Sequence, residues 1–164
     1  MFSKTRRQQR SSESSCIIGD SNFRAGSNAD TEFHVSSQRD QSLTFDLDTA
    51  NVLYLSDIKD CNFIFESSNL KSVTAFNIQN SKIILHSKRD ISSLHLPTIR
   101  IEQSLSSEWH LCSYHQLRIQ NSNMSTFHIQ SKSRPVLENS SQITFHSSTG
   151  TIPFDFSNPF ITHQ

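Results

Sequence analysis

An all-β fold is what this sequence predicts: a parallel β-helix behind a disordered N-terminal tail. Three observations carry the prediction. Apolar and polar residues alternate in short runs from residue 43 onward, similar runs recur about every 18–20 residues, and glycine is nearly missing from the turns between them.

The alternation gives the strands. Leu43/Phe45/Leu47, Leu53/Leu55, Phe63/Phe65, Ile83/Leu85, Leu94/Leu96, Ile99/Ile101, Trp109/Leu111, Leu117/Ile119, Phe127/Ile129 and Ile143/Phe145 each place apolar residues two apart. That period puts them on one face of an extended chain, and no segment shows the 3.6-residue period of a helix.

Ser67-Ser68-Asn69, Gln79-Asn80-Ser81 and Gln120-Asn121-Ser122 fall between runs. They suit turns because Asn and Ser bond their own backbone and Asn tolerates a left-handed conformation. Tight two-residue hairpins favour Asn-Gly or Asp-Gly, yet Gly150 is the one glycine after residue 26. Hairpin sheets are therefore disfavoured.

Comparable positions recur at steps of 18 (Phe45 to Phe63), 20 (Phe63 to Ile83), 18 (Ile99 to Leu117), 18 (Trp109 to Phe127) and 16 (Phe127 to Ile143). Stacked coils of short strands with polar corners give such a recurrence. Because the period is imperfect, a β-sandwich stays open as the alternative at this point.

Composition sets the outer bounds. The 164 residues fit one domain and a tail, and at 34% apolar and 18% charged the core must be built economically. Most of the 12 phenylalanines lie after residue 40, so the domain is assigned to 41–150, with a C-terminal tail at 151–164 packing on it or trailing from it. Residues 1–40 are basic and then Ser-rich, without period, and read as a disordered tail. With only Phe2 for an apolar face, the basic start makes a poor presequence.

Fifteen basic residues balance fifteen acidic ones, which excludes a global field for nucleic acid or an anionic membrane. Cys16, Cys61 and Cys112 are too scattered for a zinc knuckle or a disulfide framework and are expected to be reduced. A soluble, intracellular protein is expected, so the triplets at Asn123 and Asn139 are not glycosylation sites. No cofactor and no metal are expected, because His86, His110, His128 and His146 fall singly in different strands.

In Tyr114-His115-Gln116-Leu117-Arg118-Ile119-Gln120, Leu117 and Ile119 face inward, so Gln116, Arg118 and Gln120 point together into solvent. Glu138 follows Arg118 by 20 residues, and in a coil of that length it can approach the guanidinium and hold it by a bidentate pair. Spacing alone equally describes a solvated arginine in a routine surface salt bridge.

Gln116-Leu117-Arg118-Ile119, Phe127-His128-Ile129, Ser133-Arg134-Pro135-Val136-Leu137-Glu138 and Ile143-Thr144-Phe145 resemble the signature of the tubulin-folding cofactor C domain family. The resemblance spans residues 45–147, and its specific part is 116–145. It implies a right-handed β-helix in which Arg118 is an arginine finger, Gln116 its support and Glu138 its orienting partner, with His115 and Gln120 as partner-binding residues.

The implied function is that of a GTPase activator, not an enzyme with its own substrate pocket. It would act on β-tubulin held by other folding cofactors during heterodimer assembly, in the cytoplasm and associated with the cytoskeleton. Tyr114 and His115 depart from the family's Cys-Gln, and residues 1–40 hold no counterpart of a helical N-terminal domain.

Two alternatives stand beside this. One is activation of an ADP-ribosylation-factor-like GTPase, without the membrane anchor of the retinal relative, since the chain lacks a Gly-Cys start. The other is a non-catalytic actin- or cytoskeleton-binding β-helix, against which Gln116 and Arg118 argue.

Overall fold

The computed structural model describes residues 17–18, 31–88, 96–111, 113–130 and 133–147. Its strands are β1 Ile17–Ile18, β2 Glu32–Arg39, β3 Ser42–Asp46, β4 Val52–Lys59, β5 Asn62–Ser67, β6 Ser72–Gln79, β7 Lys82–Ser87, β8 Thr98–Leu105, β9 Glu108–His110, β10 Gln116–Gln120, β11 Thr126–Ile129, β12 Val136–Glu138 and β13 Thr144–Ser147. Among the described residues there is no helix.

The strands form two sheets, ordered β1-β2-β4-β6-β8-β10-β12 and β13-β11-β9-β7-β5-β3. Every neighbouring pair is parallel except β1 with β2. From β2 onward consecutive strands alternate between sheets, which is the topology of a β-helix and removes the sandwich alternative.

The first parallel strand begins at Glu32, inside the segment expected to be a disordered tail up to residue 40. The reason is local: Phe33 and Val35 continue the alternation, Val35 is fully buried, and Phe33 meets the edge of Phe45 at 5.7 Å. The rest of that tail (apart from β1), the C-terminal segment 151–164, Leu94, Cys16 and Cys112 lie outside the described residues.

Inward side chains stack in columns. On the smaller sheet one column runs Leu43, Phe63, Ile83, Trp109, Phe127, Phe145, with Trp109 and Phe127 stacked at 6.2 Å. On the larger sheet Leu53, Val73, Ile99 and Leu117 align, beside Leu55, Ala75, Ile101, Ile119 and Leu137.

The steps from Phe63 to Ile83, Ile99 to Leu117 and Trp109 to Phe127 are as the sequence suggests. Two others are corrected by two residues each: Phe45 stacks on Phe65, a step of 20, and Phe127 on Phe145, a step of 18. A slip of two leaves every side chain on its proper face, so alternation cannot detect it.

The corners explain the scarcity of glycine. Positive φ occurs in pairs three residues apart: Ser37/Asp40, Asp57/Asp60, Asn77/Asn80, Gln103/Ser106, Asn121/Met124 and Asn139/Gln142. Asn and Asp dominate because their short polar side chains make the left-handed conformation tolerable. Adjacent corners also bond: Asn77 Nδ2 donates to Asp57 Oδ1 at 2.7 Å and Asn80 Nδ2 to Asp60 Oδ1 at 2.5 Å. Met124 gains no such local bond and is half exposed. Met124→Asn is therefore expected to stabilise the fold by something under about 1 kcal/mol, read as a raised urea midpoint.

Serines next to these corners turn inward, which their polarity alone did not indicate. Backbone N–H groups of Cys61, Ser81, Ser107, Ser104 and Ser122 donate to the hydroxyls of Ser81, Ser107, Ser125, Ser122 and Ser140 one coil on. Those hydroxyls donate in turn to carbonyls two residues back, for example Ser107 to Leu105 at 2.9 Å and Ser122 to Gln120 at 2.9 Å. The buried backbone is thus satisfied where strand pairing is interrupted. Ser107→Ala removes the acceptor of the buried Ser81 N–H and is expected to cost about 1–3 kcal/mol, seen as a lowered urea midpoint with unchanged slope.

Cys61 closes the same ladder. It is a buried free thiol whose pKa is raised chiefly by burial.

Candidate functional site

β10 sits next to last in the larger sheet, between β8 and β12. Leu117 and Ile119 are fully buried, while Gln116 and Arg118 are exposed and Gln120 is half-buried on the outer face, as strand alternation requires. Register then decides which outer residues meet. Arg118 lies opposite Arg100 on β8 and Val136 on β12, and Gln120 lies opposite Glu102 and Glu138.

Glu138 does reach Arg118, though differently from the sequence expectation. The coil here is 18 residues long, so the direct neighbour of Arg118 is Val136, and Glu138 stands one pleat further along. Arg118 Nη2 lies 3.5 Å from Glu138 Oε1, a single long contact and not a bidentate fork. The other carboxylate oxygen, Oε2, accepts from Gln120 Nε2. The Glu138 side chain is 11% exposed and that of Arg118 44%, so the carboxylate is anchored in the wall while the guanidinium stays presented to solvent.

Arg100 extends this network and was not singled out from the sequence. Its Nε donates to Gln120 Oε1 at 3.0 Å, and its Nη2 lies 3.4 Å from Glu102 Oε2. Gln120 therefore bridges Arg100 to Glu138. Two guanidiniums in register repel, and the flanking carboxylates of Glu102 and Glu138 offset that repulsion. Phe76, in register with Glu102 on the same outer face, is 41% exposed. The signal for Arg100 in the sequence is Ile99-Arg100-Ile101, the same apolar-Arg-apolar triplet as Leu117-Arg118-Ile119, 18 residues earlier.

Tyr114 and His115 precede β10 and part company. Tyr114 is fully buried, and its hydroxyl donates to the Ser133 carbonyl at 2.9 Å, tying the entry of β10 to the Ser133-Arg134-Pro135 segment before β12. Burial pushes its phenol well above the ordinary tyrosine range. His115 is exposed, and its backbone N–H donates to the Pro97 carbonyl at 2.9 Å. Of the two departures from the family pattern, then, Tyr114 is absorbed by the core and His115 alone lies on the surface beside Gln116.

The fold and this face define a β-helical module that displays a guanidinium on a parallel sheet, braced from the adjoining strand by a largely buried carboxylate. The sequence profile of tubulin binding cofactor C matches residues 50–155, more than half of the chain, and the chain belongs to that family. No individual curated protein matches it significantly. Membership supports, in general terms, a role as a tubulin-folding cofactor.

Proposed function

We propose that this protein activates GTP hydrolysis on β-tubulin held with other folding cofactors, supplying Arg118 in trans as an arginine finger. The observation that carries the reading is the exposed Arg118 guanidinium beside the buried-side Glu138 carboxylate, on the face that also holds Gln116.

Charge in GTP hydrolysis spreads over the γ-phosphoryl and leaving oxygens, and a guanidinium inserted from a partner stabilises it. A finger must be solvent-facing before docking and aimed on arrival. A strand inside the sheet suits both needs, because β10 is fixed on both sides by strand pairing and only the side chain beyond Cβ needs to be oriented. Glu138 limits the swing of that side chain, Gln120 holds Glu138, and Gln116 and His115 contact the partner along the strand. Phe76 supplies an apolar anchor on the same face.

The test is GTP turnover on tubulin with the other cofactors present, comparing the wild-type chain with Arg118→Ala. Equal stimulation by two folded proteins would sink the finger. The same pair on an ADP-ribosylation-factor-like GTPase identifies the target: a response to Arg118 there and not on tubulin would move the activity to the small GTPase.

A further inference from the structure

The opposite sheet carries a second constellation, which sequence spacing set aside. Trp109-His110, Phe127-His128 and Phe145-His146 repeat an aromatic-histidine pair every 18 residues, and 18 is the coil length in this part of the helix. Each aromatic points inward, so each histidine points out, and parallel register stacks the rings. His110 and His128 are 4.1 Å apart between centroids with planes 10° from parallel, and His128 and His146 are 5.1 Å apart at 21°.

Glu108, two residues before His110 on β9, sits among these nitrogens. Its Oε1 is 2.5 Å from His110 Nε2 and 3.3 Å from His128 Nε2, and Lys82 Nζ approaches the same oxygen at 3.3 Å. A plain stack of surface rings has no need to turn two Nε2 atoms onto one carboxylate oxygen.

We propose that Glu108, His110 and His128 form a binding site for a divalent ion of the zinc type, with His146 placed to join them. The donor atoms of the three lie within 4.8 Å of one another. A tetrahedral ion with bonds near 2.1 Å wants neighbouring donors about 3.4 Å apart, so shifts of about 1 Å suffice. Side chains between 32% and 41% exposed have room for that adjustment.

Two imidazoles and a carboxylate are a donor set that zinc accepts and that calcium and magnesium do not favour. Burial and the adjoining His110 hold His128 below the ordinary histidine range, and the His110 hydrogen bond holds Glu108 below the ordinary carboxylate range. An ion would take up the Nε2 lone pairs in place of the hydrogen now shared with Glu108, so its binding releases protons. Lys82 must swing away from Glu108 on binding, which its long stem permits. An ion here links β9 to β11, and to β13 through His146, stapling coils that are otherwise joined only to their neighbours. The site lies on the other sheet from Arg118 and is independent of GTPase activation.

The experiment is calorimetric titration of the tag-free, metal-stripped full chain with Zn²⁺ alone, with Co²⁺ absorption as a second probe. One ion per chain is expected, with affinity falling at least about tenfold in His128→Ala and in Glu108→Gln, since each removes one of three donors. His86→Ala, on β7 and outside the cluster, is expected to bind as wild type. Zn²⁺ is expected to raise the thermal midpoint of the wild type and not of His128→Ala.

If a variant fails to fold, imidazole nitrogen resonances of the wild type decide: Zn²⁺ should shift His110 and His128 ahead of the remaining histidines among the eight. Equal affinity in wild type, His128→Ala and Glu108→Gln, no zinc binding at all, or uniform shifts over all histidines would overturn the proposal.

Discussion

Arg118→Ala is expected to reduce stimulated GTP hydrolysis by about 10³-fold or more, the range over which arginine fingers act. Stability should barely change, because the Arg118–Glu138 pair is nearly half exposed on the arginine side and exposed pairs contribute about 0–1 kcal/mol. Single-turnover hydrolysis alongside urea unfolding separates the two effects.

The conservative variant sharpens the test. Arg118→Lys keeps a charge but loses the planar fork, so it should recover only a small part of the rate. Glu138→Gln leaves the finger in place and loosens its aim, because it weakens the long Nη2–Oε1 approach and disturbs the hydrogen bond that Glu138 Oε2 accepts from Gln120. A loss of about tenfold is expected there, well short of the alanine effect. If Glu138→Gln matched Arg118→Ala, the carboxylate would have a larger part than orientation.

Trp109→Ala is expected to produce the largest loss of stability, about 3–5 kcal/mol, the usual cost of deleting a large buried aromatic. Trp109 is fully buried in the middle of the aromatic column, stacks on Phe127, and donates its indole N–H to Ser104 Oγ at 2.9 Å. That loss is a large fraction of the roughly 5–15 kcal/mol that holds a domain together.

Because each coil packs only on its neighbours, the damage should centre on β9 and β11 and spread outward. Hydrogen exchange ought to show amides around Phe127 opening before those around Phe63. Trp109→Phe, which keeps the ring stack and gives up the indole bond, should cost distinctly less; Ser104 Oγ retains Ser125 Oγ at 3.1 Å as a partner. Far-UV circular dichroism with urea is the readout, since the chain has a single tryptophan and the mutation removes that fluorophore.

Much of the β-helix is legible without coordinates. Alternating apolar pairs place nine of the thirteen described strands and miss β1, β2, β6 and β12, while Asn80 and Asn121 fall at left-handed corners as their chemistry suggests. The inward serines are less legible, because a serine in a loop and a serine in a buried ladder look alike until the coil beneath supplies its N–H. Tyr114 shows the same limit, since two polar-looking departures from a family motif resolve into one core anchor and one surface histidine only when Ser133 is found beside the phenol.

By itself the sequence determines facing. Leu117 and Ile119 inward means Arg118 outward, and Phe127 inward means His128 outward, for the period of two admits no other arrangement. Neighbours across coils are decided only by tertiary structure. Coil length can change by two residues without disturbing any inward face, so 18 and 20 read alike in the chain and place different side chains next to Arg118. Packing of the aromatic column and the serine ladder selects the register. That register sets Arg100 and Val136 beside Arg118, moves Glu138 one pleat along to share itself with Gln120, and stacks three histidines that the sequence scatters.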